Sequence, residues 1–148
     1  MEDLVGDWKV ASRGDNFDDF LQCRHVKWWL RTLMTKITPK LPHHINFTLD
    51  PDTLTKSTLT TLGPVSHTYH THPMPLHSYF VPARTLSGEV EVGRVVETST
   101  RKVVVEMRYE ESDEVASVVE HQVFGDELFV KMKCGQIVYE ETYERMKS

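Results

Sequence analysis

Cysteine is scarce in this chain: Cys23 and Cys134 are the only two among 148 residues. With no metal-type spacing between them they suit a reducing compartment, where both are expected as free thiols. Long apolar runs are also missing. No stretch approaches the roughly 18 residues a membrane helix needs, and the opening MEDLVGDWKV has no basic region leading into an apolar one, so neither export nor spanning is expected. Basic charge is neither abundant nor gathered. The net charge is −5, and the Lys and Arg residues form no stripe that a phosphate backbone would bind, which argues against nucleic acid as a partner. No phosphate loop, cofactor fingerprint or nucleophile beside a base is present, so no cofactor is expected. The default location is cytoplasmic.

What is present is enough apolar residue, 39%, for one core. A single domain over residues 1–148 is the expectation. Only NFDDFLQCRHVKWWLRTLMTKI, residues 16–37, has helical periodicity, with Phe17, Phe20, Leu21 and Arg24 in one set and Trp28, Leu30, Leu33, Met34 and Ile37 in another. Two short helices broken near Arg24 to Val26 are predicted, with Asp15 or Asn16 as N-cap, Asp18 and Asp19 favoured by the helix dipole, and Pro39 and Pro42 as the stop. From His43 onward threonine, valine and tyrosine dominate. Turn residues recur every 8 to 12 positions or so, the pattern of antiparallel hairpins. The pattern alone gives about eight strands after the helices and one before.

After Gly88 each strand has one dry face. In KVVVEMRY it is Val103, Val105, Met107 and Tyr109; in ELFVKMKC it is Leu128, Val130, Met132 and Cys134. A sheet with one dry face and no wish to expose edges curls round a single interior, which predicts a β-barrel or clam. Polar residues on the dry faces are then the informative ones, because burying them requires partners. Alternation puts Arg94 with Val90, Val92 and Val96, His121 with Ser117, Val119 and Val123, and Glu141 between Tyr139 and Tyr143. A one-residue slip in any of these strands returns its polar group to water.

Two stretches resemble a known family. LVGDWKVAS followed by NFDDFLQ is similar to the first strand and helix of the intracellular lipid-binding proteins, which include the fatty-acid-binding and cellular retinoid-binding proteins, with their G-x-W opening and N-F-D-D-[FY]. ELFVKMKCGQIVYEETYER resembles that family's last two strands, which end in R-x-Y. The resemblance implies a mainly β fold: a ten-stranded antiparallel up-and-down β-barrel, or β-clam, with a helix-turn-helix lid between the first two strands. It also implies a monomer that binds and transports a small hydrophobic ligand, such as a fatty acid, a retinoid or a related lipophile, in an internal cavity. Phe17 and Leu21 fall on positions facing portal and cavity, Trp8 on the closed end, and Tyr143 on the tyrosine of R-x-Y. Glu141 stands where the family has arginine, and His121 near a second cavity arginine. The polar anchor is therefore altered in a way that disfavours simple carboxylate recognition, since a second carboxylate beside Glu141 is repelled. An inward Arg94 would neutralise Glu141.

The expected ligand-binding set is Phe17, Leu21, Arg94, Met107, His121, Val130, Met132, Tyr139, Glu141 and Tyr143. Two other readings share it. His121, Glu141 and Tyr143 would suit acid-base chemistry on a lipophilic carbonyl compound, although a ligand-orienting hydrogen-bond network needs the same groups. In SHTYHTHPMPLH, His70 and His72 are two apart and share a strand face, a candidate for metal or haem binding with His121 or Glu141 as a further ligand. On the lid, an exposed Trp28 or Trp29 near Arg24, Lys27 and Arg31 would allow transient contact with a membrane.

Overall fold

The computed structural model describes residues 1–38, 43–60, 63–70, 73, 80–84 and 88–147. A 3₁₀ turn at Glu2–Leu4 leads into β1 (Gly6–Arg13), followed by α1 (Phe17–Cys23) and α2 (Trp28–Ile37). Nine strands complete the chain: β2 (His44–Leu49), β3 (Thr53–Thr60), β4 (Gly63–His70), β5 (Phe80–Arg84), β6 (Val90–Ser99), β7 (Lys102–Tyr109), β8 (Val115–Phe124), β9 (Glu127–Cys134) and β10 (Ile137–Arg145). They form one antiparallel sheet in the order β4-β3-β2-β1-β10-β9-β8-β7-β6-β5, a meander in which the last strand returns to the first. The helical pair between β1 and β2 agrees with the sequence pattern, and the ten strands with what the resemblance implied, one more than the pattern alone gave.

Side chains show that the sheet is curled. In the ladder β3 and β8 are five strands apart, roughly 24 Å if the sheet were flat. Yet Lys56 Nζ on β3 lies 2.9 Å from His121 Nε2 on β8, and the Phe47 ring on β2 meets the His121 ring edge-on at 5.5 Å. The inner face is apolar at one end, where Leu4, Trp8, Ile45, Phe47, Leu128 and Tyr143 are packed in one cluster. Trp8 donates to the Leu4 carbonyl at 2.8 Å, and the Arg145 guanidinium sits 4.1 Å above its ring. This is the closed end expected of Trp8.

The helices cover the other end. On the Tyr139 ring Phe17 of α1 lies tilted at 5.0 Å and Phe20 stacks at 5.7 Å, and a satellite cluster joins Phe20, Tyr139 and Cys134. β1 passes so close to β10 here that a Cβ on Gly14 would meet the Glu140 carbonyl at 3.2 Å and the Tyr139 ring at 3.3 Å. Asn16 stands at the N-cap of α1, but its side chain donates to the Val138 carbonyl at 2.8 Å instead. Between the helices His25 takes a left-handed backbone, φ 63, and Arg24 reaches the buried Glu91 of β6 with both carboxylate oxygens within 2.8 Å.

Two expectations are corrected. Cys23 and Cys134 are not free thiols: they form a disulfide across 111 residues of sequence, because the C-terminal end of α1 lies directly over the end of β9. Arg94 does not face the interior. Its register partner is Glu106, to which Nε lies 3.2 Å away, with Arg108 on the same carboxylate. The inner face of β6 is instead Glu91, Gly93 and Val95, and a shift in register between Val95 and Glu97 lets Thr98 join the inner row opposite Val103.

Candidate functional site: a polar cluster inside the barrel

Register places most of the expected residues on the inner face. Glu141 pairs with Val130, Val130 with His121 and His121 with Val103, so these lie in one row across β10, β9, β8 and β7. A second row holds Tyr139, Met132, Val119 and Val105. Met107, Val119 and Met132 face inward and pack against the core cluster yet remain only partly buried.

Glu141 is the centre of one polar group. Its side chain is 7% exposed, and it accepts hydrogen bonds from the Tyr143 hydroxyl at 3.1 Å and the Tyr139 hydroxyl at 3.3 Å. Its cation comes from a residue the sequence reading missed. Arg13 Nε lies 3.4 Å from Glu141 Oε2. With Trp8 and Val10 inward, regular alternation would turn Arg13 out; a bulge between Val10 and Ser12 reverses the parity, so Ser12 pairs with Thr142 and Arg13 with Glu141. The Ser12 and Thr142 hydroxyls hydrogen-bond outside the bulge. Within the cluster, Arg13 Nε and Nη2 are buried and make no hydrogen bond among the described residues. Burial, then the Glu141 charge, raises the Tyr139 and Tyr143 hydroxyls far above the ordinary phenol range, so both stay protonated donors.

The second polar group is centred on Lys56, also unforeseen. Its neighbours across the ladder are the buried Phe47 and the half-buried His67, which fixes it to the inner face. Burial lowers its pKa to about 8, with the Glu141 charge acting the other way. Burial, followed by the positive charge of Lys56, holds His121 well below the usual imidazole range, so it is neutral. The 2.9 Å contact is therefore Lys56 donating to His121 Nε2, which puts the imidazole proton on Nδ1. That atom is buried and has no hydrogen-bond partner among the described residues. His67 is lowered by burial and by Lys56, and His43, whose ring meets Tyr143 edge-on at 5.9 Å, mainly by burial.

The expected acid-base trio is thus divided: Glu141 and Tyr143 are hydrogen-bonded to each other, whereas His121 is engaged by Lys56. Phe17 is half-buried on Tyr139 and Leu21 is buried at 5% exposure. A cleft of ≈ 560 Å³ opens between the end of β1 and the two helices, lined by Val10, Arg13, Phe17, Thr35, Thr38 and Tyr139. It leads from the surface to Arg13 and Tyr139, the rim of the Glu141 group. His72 lies outside the described residues; His70 is on β4, its backbone paired with Thr53. Among the described residues no group of three or more His, Cys, Asp or Glu is arranged to hold a metal.

No family model matches the chain, and no curated protein sequence does. Solved structures do. A Schistosoma mansoni fatty acid binding protein in complex with arachidonic acid superposes with TM-score 0.79 at 22% identity, over 99% of this chain and 98% of that one. A REP1-NXSQ fatty acid transporter gives 0.77 at 18% identity, over 100% and 99% of the two chains. Human cRBP IV gives 0.76 at 20% identity, over 99% and 100%. The chain has the fold of these proteins. At such identities the likeness is one of fold, so the occupant of the interior is a question for this chain's own residues.

Proposed function

We propose that the chain is a single lipid-binding-type barrel domain, acting as a monomer, that binds a small hydrophobic ligand in its interior and carries it between sites. The reading rests chiefly on one observation: a half-buried Arg13 whose Nε and Nη2 are buried and make no hydrogen bond among the described residues, held against Glu141 at the inner end of a cleft. A buried guanidinium normally has its N–H groups satisfied, and an oxygen on the ligand's polar end would do so. The fold of structures titled fatty acid transporter, fatty acid binding protein and cRBP supports a lipophile as the occupant.

The anchor differs from a simple carboxylate site. Arg13 is already neutralised by Glu141, so a ligand carboxylate gains no net charge attraction there and is repelled by Glu141 at short range. A carbonyl or hydroxyl accepts from Arg13 and the tyrosines without that conflict. Affinity comes mainly from the tail, at about 0.8 kcal/mol per buried CH₂, against Met107, Val119, Val130, Met132 and the lid residues Phe17 and Leu21. Trp28, Trp29 and Leu33 are exposed on α2, with Lys27 and Lys36 near them. This supports transient membrane contact of the lid during transfer.

The test is native mass spectrometry of the protein purified from its source, followed by denaturing extraction and identification of the released molecule. A neutral oxygen-bearing lipophile, lost on Arg13→Met and on Glu141→Ala, is expected. An ordinary fatty acid whose binding is indifferent to both substitutions would overturn the anchor.

A further inference from the structure

Lys56 has no part in the anchor just described, yet the fold turns it into the apolar interior and sets it against an imidazole. We propose that Lys56 forms a reversible imine with a lipophilic aldehyde held in the barrel, with His121 as its proton relay. The inference rests on the interior being a lipophile site and adds to it a covalent mode and a ligand class, the long-chain or polyene aldehydes.

Geometry carries most of the case. Lys56 Nζ is 2.9 Å from His121 Nε2, and the two come from opposite sides of the curled sheet, so the contact exists only in the closed barrel. On the same inner face stand Leu54, Phe47 and Tyr69, all buried. Such a lining binds an alkyl or polyene tail and keeps water scarce, which opposes hydrolysis of an imine once formed. The other titratable groups facing the amine are His67 on β4, Glu141 on β10 with its partner Arg13 on β1, and His43.

Chemistry agrees with the geometry. Only a free amine attacks a carbonyl. With its pKa near 8, roughly a tenth of Lys56 is free base at pH 7, against about one in 2,500 for an ordinary lysine with a pKa near 10.4. In the reaction the Nζ lone pair forms a bond to the aldehyde carbon while the carbonyl oxygen takes up a proton, giving a carbinolamine. The nitrogen then forms C=N as the C–O bond breaks, and the hydroxyl leaves with a second proton as water. Both protons originate on the amine, and no oxidant or reductant is involved. His121 can move them because it is neutral and already accepts from Nζ, and its buried Nδ1–H, unpartnered among the described residues, is a donor that an aldehyde or carbinolamine oxygen would satisfy.

The experiment uses the full chain with decanal as probe, decanol as its non-covalent counterpart, and cyanoborohydride to reduce any imine before intact-mass measurement and peptide mapping. One adduct on Lys56 is expected, forming about a hundredfold faster at pH 7 than on any other lysine. Its rate, compared at equal occupancy judged from each variant's own decanol affinity, should level off above pH 8, and the adduct should be absent in Lys56→Arg and form at least tenfold more slowly in His121→Gln. If decanol binds and decanal is trapped only on surface lysines, the proposal is wrong and the lipophile site stands. Failure of both decanol binding and trapping overturns both. A Lys56 adduct whose rate keeps climbing to pH 10 overturns the activated amine.

Discussion

Arg13 on β1 and Glu141 on β10 form a largely buried ion pair only because one extra residue is inserted between Val10 and Ser12. Without that bulge the guanidinium would lie on the outside of the barrel and Glu141 would have two tyrosine hydroxyls but no cation. Removing one partner of such a pair leaves the other charged and desolvated, which typically costs about 3–5 kcal/mol. Glu141→Gln is therefore expected to lower the denaturation free energy by about 3 kcal/mol, since both side chains keep slight exposure. The same substitution should raise decanoate affinity roughly tenfold, because Arg13 is released to a new anion. Urea titration and calorimetry read the two effects, and unchanged decanoate affinity would count against the anchor.

Stability should rise as pH increases from about 8 towards 10, the opposite of the usual alkaline behaviour. Lys56 has a folded pKa near 8 and an unfolded one near 10.4, so between those values the unfolded state binds more protons and ΔG of unfolding climbs with pH. Above about 10 the trend reverses, because Tyr69, Tyr139 and Tyr143 are raised on folding and ionise first in the unfolded chain. Urea midpoints of Lys56→Met measured across this range should lose the rising segment.

Acid should destabilise the chain through its imidazoles. His121, His67 and His43 are all lowered in the folded state, so below about pH 6.5 the unfolded chain takes up protons that the native interior refuses, and stability falls as pH falls. His121→Gln, with the largest part removed, should flatten the decline between pH 6.5 and 5; an unaltered slope would mean that His121 is hydrated.

The disulfide closes a span of 111 residues, for which chain entropy gives about 4–5 kcal/mol of stabilisation. Reduction, or Cys23→Ser, should therefore lower the melting temperature markedly and loosen α1 from Tyr139 and Cys134 before the sheet opens. Hydrogen exchange with and without reductant separates the two events. Thiol quantification on protein taken directly from its source tells which redox state the compartment maintains, since a cytosolic location favours the dithiol.

Trp28 and Trp29 are 70% and 54% exposed on α2. If the lid touches a bilayer while ligand passes, Trp29→Ala should slow transfer of a fluorescent lipophile to anionic vesicles severalfold and leave equilibrium affinity unchanged. An equal rate would remove the lid from the transfer step.

Most of the architecture was legible in local pattern. Alternation in KVVVEMRY and ELFVKMKC named the inner rows correctly, because one dry face recurs every second residue and any other register would put valines in water. Helical spacing in residues 16–37 placed both lid helices, and the interior position of His121, Tyr139, Glu141 and Tyr143 followed from the same parity. Arg13 was missed because parity fails at bulges: one extra residue inverts every side chain beyond it, and nothing in GDWKVASR marks where it falls. Arg94 was misplaced because the outward row of β6 carries Val90 and Val92 while the inward row carries Glu91 and Gly93, so the apolar pattern pointed to the wrong face. Lys56 was hidden by a threonine-rich strand with no clear dry face, and the Cys23–Cys134 bond by a separation of 111 residues that only the docking of α1 on β9 brings together. Local pattern decided which face each residue takes; closure of the sheet decided which residues meet, since contacts such as Lys56 with His121 depend on curvature that no window of sequence contains.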